Sequence, residues 1–553
     1  MKKHILYILL ACFGFSEAFA QMEMPSTQGS EFYLSFIKAN PKREKTMLLI
    51  VSAERIGKLE FTDANGLVTT KNFNAGTTII EMVSTDDTDA ITGGDLRNCY
   101  TTLINQESKT GYKIVAFEND GTTLQKVSLY AGLSGDDTAD FGNVYPIEAL
   151  GNEYIVVSHA GMTKDSYPQP SEALVVATRD GTEIEVVPAC LLEGYGDELL
   201  PAFTVTLNKG EVYQLRAKSP NSGDKGQNDL SGTVFRTKKG TASECYPIAV
   251  FTGGAHSNPG DYEYEQLFPT HLWGKNYLVT TPQNESNEVY VRVMAAQGCT
   301  EVKVDGVLKA TLNQTEYYEY TSPSGGSYIE ASKPVEVAFF TAPESGGSSS
   351  DASMTVLAPV EQMLEEIVFV APYVKAYGSD FSNYKVSIVT PTKFMGDIHL
   401  KNLANSTELT LSGWVSVAGT NDGYKSIAVN VDAGTTYQII ADAGGFNAIV
   451  YAYGGNPEYS FSVGSKAQTE IDLGIGSNPE NGGKPYTSSE LAVLECPPLG
   501  GTQPLVPFGL ENIIYSHVDW EVFEDADVQL DTDGKIIGIN NIGTPMLTKT
   551  GDK

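Results

Sequence analysis

Five histidines follow the first twenty residues, His159, His256, His271, His399 and His517, and no two share a spacing that makes a catalytic or metal-binding pair. The sequence contains no G-x-S-x-G nucleophile elbow, no H-E-x-x-H zinc pair, no G-x-x-x-x-G-K-[ST] phosphate cradle and no dinucleotide fingerprint after a strand. No catalytic and no cofactor-binding residue is therefore assigned, and each histidine is read as a surface or capping group. Glycoside hydrolysis needs two carboxylates that the fold brings together. With 69 Asp and Glu residues in the chain, the sequence selects no such pair. Three acidic clusters have the oxygen-rich character that a hard cation such as Ca²⁺ requires. They are Asp86, Asp87 and Asp89 before Gly93-Gly94, then Asp136, Asp137 and Asp140, and finally Asp525, Asp527, Asp531 and Asp533. None follows D-x-[DN]-x-[DN]-G with its distant glutamate, so solvated turns are the simpler reading and Ca²⁺ the alternative.

The charge balance narrows the partner class. A net charge of -32 repels nucleic acid and anionic membranes and suits a solvated body or a basic partner surface. Lys2, Lys3 and His4, the apolar run from Ile5 to Phe15 and the small-x-small triplet Ala18-Phe19-Ala20 form an export signal with cleavage after Ala20. The leader holds two lysines against Glu17, so the mature chain is one charge more acidic. Leu9-Leu10-Ala11-Cys12 loosely matches a lipoprotein box, but Leu10 is bulky for it and the Ala-x-Ala site follows at a normal distance. The apolar run is shorter than the roughly 20 residues that cross a bilayer, and no later run is longer, so no transmembrane span is expected. Five cysteines remain, Cys99, Cys190, Cys245, Cys299 and Cys496, an odd set without a C-x-x-C pair. At least one stays unpaired, and structural zinc is disfavoured. The implied localisation is extracellular or at the cell surface, with the periplasm as a further option.

Helix signals are nearly absent. Short runs rich in Val, Ile, Tyr, Phe and Thr recur about every 8 to 12 residues between Gly, Asn, Asp and Ser, the rhythm of an all-β chain. Glu288 to Met294 and Tyr384 to Thr390 alternate apolar and polar residues, as strands with one face in solvent do. A single helical turn is expected around Val360 to Glu366. A degenerate pattern recurs roughly every 90 to 125 residues. Its opening strands are Phe32 to Phe36, Tyr154 to Val157, Tyr277 to Thr280 and Ile367 to Val370, and its closing apolar strands are Lys113 to Phe117, Pro247 to Phe251, Pro334 to Phe340 and Ala448 to Ala452. With about six to eight strands per copy against the four of a propeller blade, the pattern predicts tandem antiparallel β-sandwich-like repeats in four degenerate copies. A β-propeller-like arrangement of paired blades is the alternative. The copies span about residues 29–150, 151–272, 273–362 and 363–465 within a body of residues 21–465. Residues 466–487 read as a linker, and 488–553 as a small C-terminal β module, possibly incomplete, with a hairpin turning at Asp533-Gly534. Insertions fall at Leu191 to Leu200 and Pro220 to Leu230, where a binding surface could vary without disturbing the scaffold.

The most distinctive stretch runs from Phe251 through Gly253-Gly254, His256, Tyr262, Gln266-Leu267-Phe268-Pro269 and Trp273-Gly274 to Tyr277. It is read as a joint between copies, with Phe251 and Val337 in central strands and Tyr262 on a contact loop. Together with the opening Gly29-Ser-Glu-Phe32-Tyr33-Leu34-Ser-Phe36, this stretch resembles the IgGFc-binding protein amino-terminal domain family over about residues 29–465. The resemblance implies an extracellular binding or adhesion module that meets mucus glycoproteins or antibodies. It also implies an exported protein of a Bacteroidetes-like bacterium, which the Met-Lys-Lys start suits. No ligand-contact residue carries over, so the binding residues stay unassigned. The expected function is that of an exported non-catalytic binding or adhesion protein with an extracellular protein or glycoprotein ligand. A structural subunit of an extracellular assembly and a carbohydrate-active hydrolase are the alternatives. The oligomeric state is not read from the sequence.

Overall fold

The computed structural model describes residues 26–467 apart from 39–44, 86–89, 95, 136–138, 160–161, 165–166, 219–228, 255–261, 281–288, 324, 342–352, 374–380 and 455–457, together with a few short strands further on. The leader, its cleavage site, Cys12, Cys496, His256, His517, the first acidic cluster, Asp136, Asp137 and the Asp533-Gly534 turn lie outside the described residues. So does most of the chain beyond residue 467, in which Asp527–Leu530 pairs antiparallel with Ile536–Asn540.

The chain is all-β and its strands form antiparallel sheets. A two-sheet unit opens it. Glu31–Leu34, Tyr112–Glu118, Gly57–Asp63 and Val68–Phe73 form one sheet, and Ala139–Val144, Ser128–Gly135, Lys45–Ala53, Gly76–Thr85 and Ile91–Gly93 form the other. The same order returns in a second unit. There Glu153–Ile155, Val234–Thr237, Thr182–Val187 and Phe203–Leu207 face Glu263–Gln266, Ile248–Gly254, Ser171–Ala177 and Val212–Arg216, with Glu107–Ser108 of the first unit added at the edge. In a third unit the 15-residue strand Ser327–Thr341 serves both layers, joining them into one seven-stranded sheet. A fourth sets Glu366–Val370, Thr436–Ala441, Ile398–Asn402 and Thr407–Leu409 against Glu458–Ser462, Asn447–Gly454, Phe381–Pro391, Tyr424–Asn430 and Val415–Ser416.

Side-chain alternation decides which layer a strand joins. Gly57–Asp63 and Thr182–Val187 bury every second residue, so one face packs and the other meets water. Ser171–Ala177 and Ile248–Gly254 are buried throughout, because their second face lies under a neighbouring unit. Covering by neighbours also corrects the alternation expected at Glu288 to Met294. Val289–Ala295 is buried along nearly its whole length, and Arg292, on its polar face, is only 3% exposed. The turn near Val360 is a 3₁₀ turn, Val360–Gln362.

The units close into a ring. The strands Ala139–Val144, Glu263–Gln266, Ser353–Val356 and Glu458–Ser462, here called the inner strands, each pack against the inner strands of both adjacent units. Fourth meets first through Tyr130 OH donating to Val463 O at 3.1 Å and the Tyr130 ring packed at 4.8 Å against Phe461, tilted by 51°. A strap at Thr27 completes the seam: its amide donates to Ser465 O at 2.9 Å, and its Oγ1 accepts from Ser465 N at 2.9 Å. The units are thus sandwiches, as the strand count implied, while their circular placement is that of the propeller-like alternative.

Lys113 to Phe117 does not occupy the position of the other closing strands. It pairs with Glu31–Leu34 and Gly57–Asp63, and Ser128–Gly135 takes the place beside Lys45–Ala53. Phe251 has no exposed surface and stacks at 5.4 Å on Tyr264, and Val337 is equally buried. Phe251→Ala is expected to cost about 3–5 kcal/mol by the loss of buried surface and the cavity left behind. Denaturant unfolding checks this, and a midpoint unchanged from wild type would contradict the packing described.

Candidate functional site

Four polar backbones brought together without water must find partners. Asp140, the second residue of its inner strand, accepts through Oδ2 from the amides of Tyr264 at 3.1 Å and Met354 at 3.4 Å, the second residues of the next two inner strands. Ser460, near the start of the fourth, shares hydrogen bonds of 2.8 Å with Ser353 and with Thr355. Further along, Glu265 Oε1 accepts from Val356 N at 3.3 Å and Asn143 Nδ2 donates to Ser462 O at 2.6 Å. Start meets start and end meets end, so the four inner strands run in the same direction. The first residues of the four inner strands consequently lie at one end of the ring. Gly142 is required here by close approach: a Cβ would lie 2.6 Å from Glu265 Oε2 and 2.8 Å from Tyr264 O.

The joints between units are locked by a second repeated device. A Cβ on Gly29 would sit 2.2 Å from the Cβ of Pro146, one on Gly151 2.5 Å from that of Pro269, and one on Gly274 2.2 Å from that of Pro359. Each opening glycine therefore lies flat against the proline that ends its own unit. Tyr154 OH accepts from Gly151 N at 3.0 Å and donates to Ile248 O at 2.7 Å, and Tyr277 OH does the same with Gly274 N at 3.1 Å and Val335 O at 2.5 Å. The residue before each proline is caught by the next unit. Gln266 Oε1 accepts from Tyr145 N at 2.7 Å, Glu336 Oε1 accepts from Phe268 N at 3.0 Å, and Asn447 Nδ2 donates to Ala358 O at 2.9 Å. Trp273 Nε1 donates to Phe268 O at 3.0 Å, which fixes the turn within the joint.

These contacts give the distinctive stretch its meaning. Gly253 and Gly254, with φ of 154° and 138°, end the central strand and pair with Tyr264 and Glu263 of the inner strand, and residues 262–277 build the ring centre and a joint. Tyr262 departs from its expected place on a contact loop. It is 2% exposed and its hydroxyl donates to Ile37 O at 3.3 Å, because the inner strand it precedes draws it under the first unit. The insertion at Leu191 to Leu200 folds back on the chain through the Leu192–Ala217 bridge, and Tyr195 OH reaches Asn105 O at 3.4 Å.

The histidines are not brought together. His159 is buried beside Phe340 at 5.1 Å, His271 is exposed in the 3₁₀ turn Thr270–Leu272, and His399 lies on the fourth unit between Glu408 and Asp442. Among the described residues no group of three or more His, Cys, Asp or Glu is placed to hold a metal ion. Asp140 is the described member of its acidic cluster, and its carboxylate points into the ring. Cys99 and Cys190 are buried free thiols, Cys299 is an exposed one, and Cys245 is disulfide-bonded.

Between the second and third units Arg292 makes the densest polar contact. Its guanidinium donates to Asp229 Oδ2 at 2.5 Å, Ser158 O at 2.6 Å, Ser231 Oγ at 2.8 Å and Glu319 Oε2 at 2.6 Å, and lies 4.0 Å over the Tyr317 ring. Such a pair is costly to break from one side, since a buried carboxylate is then left alone.

Asp140, Glu265 and Glu336 are at most 1% exposed. Burial first, and then neighbouring carboxylates for Asp140 and Glu265, push their pKa values well above the usual carboxylate range. Raised pKa values of this kind mark active sites when they line a cleft. Here the groups are buried and serve as acceptors for backbone amides. A carboxyl whose folded pKa is raised contributes fully below its unfolded value, and the contribution is lost as pH climbs through the folded value. Glu336→Gln keeps the acceptor for Phe268 N without the charge. Its melting temperature is expected to fall less than that of wild type between pH 4.5 and pH 8, and parallel pH profiles would show that Glu336 is ionised in the fold.

The family model described as IgGFc binding protein matches residues 140–452, more than half of the chain. A human protein named IgGFc-binding protein is 25% identical over 313 residues, which are 54% of this chain and 5% of that protein's length. The match starts at the buried Asp140 and takes in the joints at Pro146, Pro269 and Pro359. With the family model covering that span, the chain belongs to the IgGFc-binding protein family.

Proposed function

We propose that this chain is an exported, non-catalytic binding protein that recognises an extracellular protein or glycoprotein. The ring of two-layered units is the scaffold, and the connections into the inner strands carry the contact residues. The reading rests on one observation, the common direction of the inner strands, which puts their four starts at a single end. Loops held together on a rigid scaffold are where binding residues concentrate. The sealed carboxyls at the centre favour binding over turnover. No described helix is long and apolar enough to cross a membrane. The signal-like start supports placement outside the cell or on its surface, and its Met-Lys-Lys suits a bacterial source.

The human relative's name states that it binds the Fc part of IgG. Carried to this chain, it makes immunoglobulin one ligand to test beside mucus glycoprotein. The full mature chain, screened against mucins, IgG with its Fc fragment and a glycan array, is expected to give a saturable hit. That hit should be lost, without change in melting temperature, when residues 342–352 are replaced by a short Gly-Asn turn. Silence in the whole screen would favour a structural subunit of an extracellular assembly. Glycan cleavage would replace binding with hydrolysis.

A further inference from the structure

A groove of about 310 Å³ opens on the fourth unit, away from the inner strands, between the 3₁₀ turn Thr392–Asp397 and the edge strand Thr407–Leu409. Ile398, Leu409 and Leu411 line it, and Met395, 40% exposed, forms one wall. The groove exists because this edge strand is only three residues long. The corresponding strands of the other units, Val68–Phe73, Phe203–Leu207 and Val307–Leu312, run five or six residues and continue the sheet where the groove opens. Thr407–Leu409 is also the last strand of its sheet, so one side of its backbone has no strand beyond it among the described residues.

The polar end of the groove is acidic. His399 Nδ1 lies 2.7 Å from Glu408 Oε1 and its Nε2 lies 3.2 Å from Asp442 Oδ2, and both carboxylates are largely exposed. Asp397 adjoins them, with its carbonyl bonded to Asp442 N at 2.9 Å, while Lys401 stands opposite Glu408 in the strand register. Glu408 and Asp442 thus concentrate negative charge on the imidazole beside an apolar floor, with Lys401 and the turn's Lys393 as the neighbouring cations. We propose that this groove binds a basic, extended peptide segment, which pairs its backbone with Thr407–Leu409, seats an apolar side chain on Leu409 and Leu411, and places a lysine or arginine between Glu408 and Asp442. Strand addition at an open edge supplies affinity through the main chain, and alternate side chains supply specificity.

The two carboxylates already share His399, whose pKa they raise, Glu408 most. A cationic guest competes with the charged imidazole, so binding should strengthen as pH rises and His399 gives up its proton. The site lies on residues separate from the connections into the inner strands, so it stands or falls independently of the ligand tested above.

The experiment titrates the full mature chain with a fluorescein-labelled peptide that alternates lysine and valine, and with its glutamate-valine counterpart. The lysine peptide should bind saturably and the glutamate peptide should not. Glu408→Gln with Asp442→Asn is expected to weaken binding at least tenfold, as is Leu409→Asp. The remote pair Glu301→Gln with Glu330→Gln, on the third unit, should change it less than twofold. Wild-type affinity should increase several-fold between pH 6 and pH 8, and His399→Gln should flatten that profile. Equal loss from the remote pair would reduce the effect to long-range charge and overturn the proposal. So would binding that ignores Glu408 and Asp442, or equal binding of the glutamate peptide.

Discussion

Four strands that converge on one axis leave no room for water, and the remaining architecture answers that constraint. Each inner strand brings amides and carbonyls that its own sheet satisfies on one edge only. Short polar side chains at Ser353, Thr355 and Ser460 fill the gaps, and Gly142 permits the nearest approach. Where a longer acceptor is needed, the chain uses carboxyls, whose pKa values burial pushes up. A charged group there would face the full cost of desolvation, whereas a protonated one accepts an amide like any carbonyl.

The residues by which the family is recognised acquire a physical role in this frame. The glycine before an aromatic, the glutamine two positions before phenylalanine and three before proline, and the tryptophan-glycine pair all lie in joints. Gly151 against Pro269 and Gly274 against Pro359 are steric locks, and Gln266 and Glu336 fasten the backbone of one unit to the side chain of another. The signature therefore describes how the units are joined. Ligand specificity is free to vary without touching it, and a shared signature among family members carries no statement about a shared ligand.

The strands and the core were legible in the sequence because their code is local. Alternation and apolar runs located the opening strands, and they placed Phe251 and Val337 inside. What was not legible depends on neighbours far away in the chain. Tyr262 looks like a loop residue until the first unit covers it, and Arg292 looks like the polar face of a half-exposed strand until the second unit supplies Asp229. The closing strand of the first unit was misplaced because Lys113 to Phe117 is as apolar as its counterparts, while Ser128–Gly135 interrupts its apolar run with Ser128, Gly132, Ser134 and Gly135. The stretch from Phe251 to Tyr277 was legible as a joint, whereas Glu336, a carboxylate inside an otherwise apolar run, gains its meaning only when the fold supplies Phe268 N as its partner.

The strap at Thr27 ties together positions separated by 438 residues. Contacts of such sequence separation form slowly, since the whole intervening chain must be ordered before the two ends meet. During synthesis Thr27 appears long before its partner Ser465. The first unit must therefore wait with its outer apolar surface, including Tyr130, Phe141 and Ile50, uncovered until the fourth arrives. A ring of this kind is most exposed to misassembly and proteolysis while it is being delivered, and a chaperone that shields that one surface would protect the entire circle.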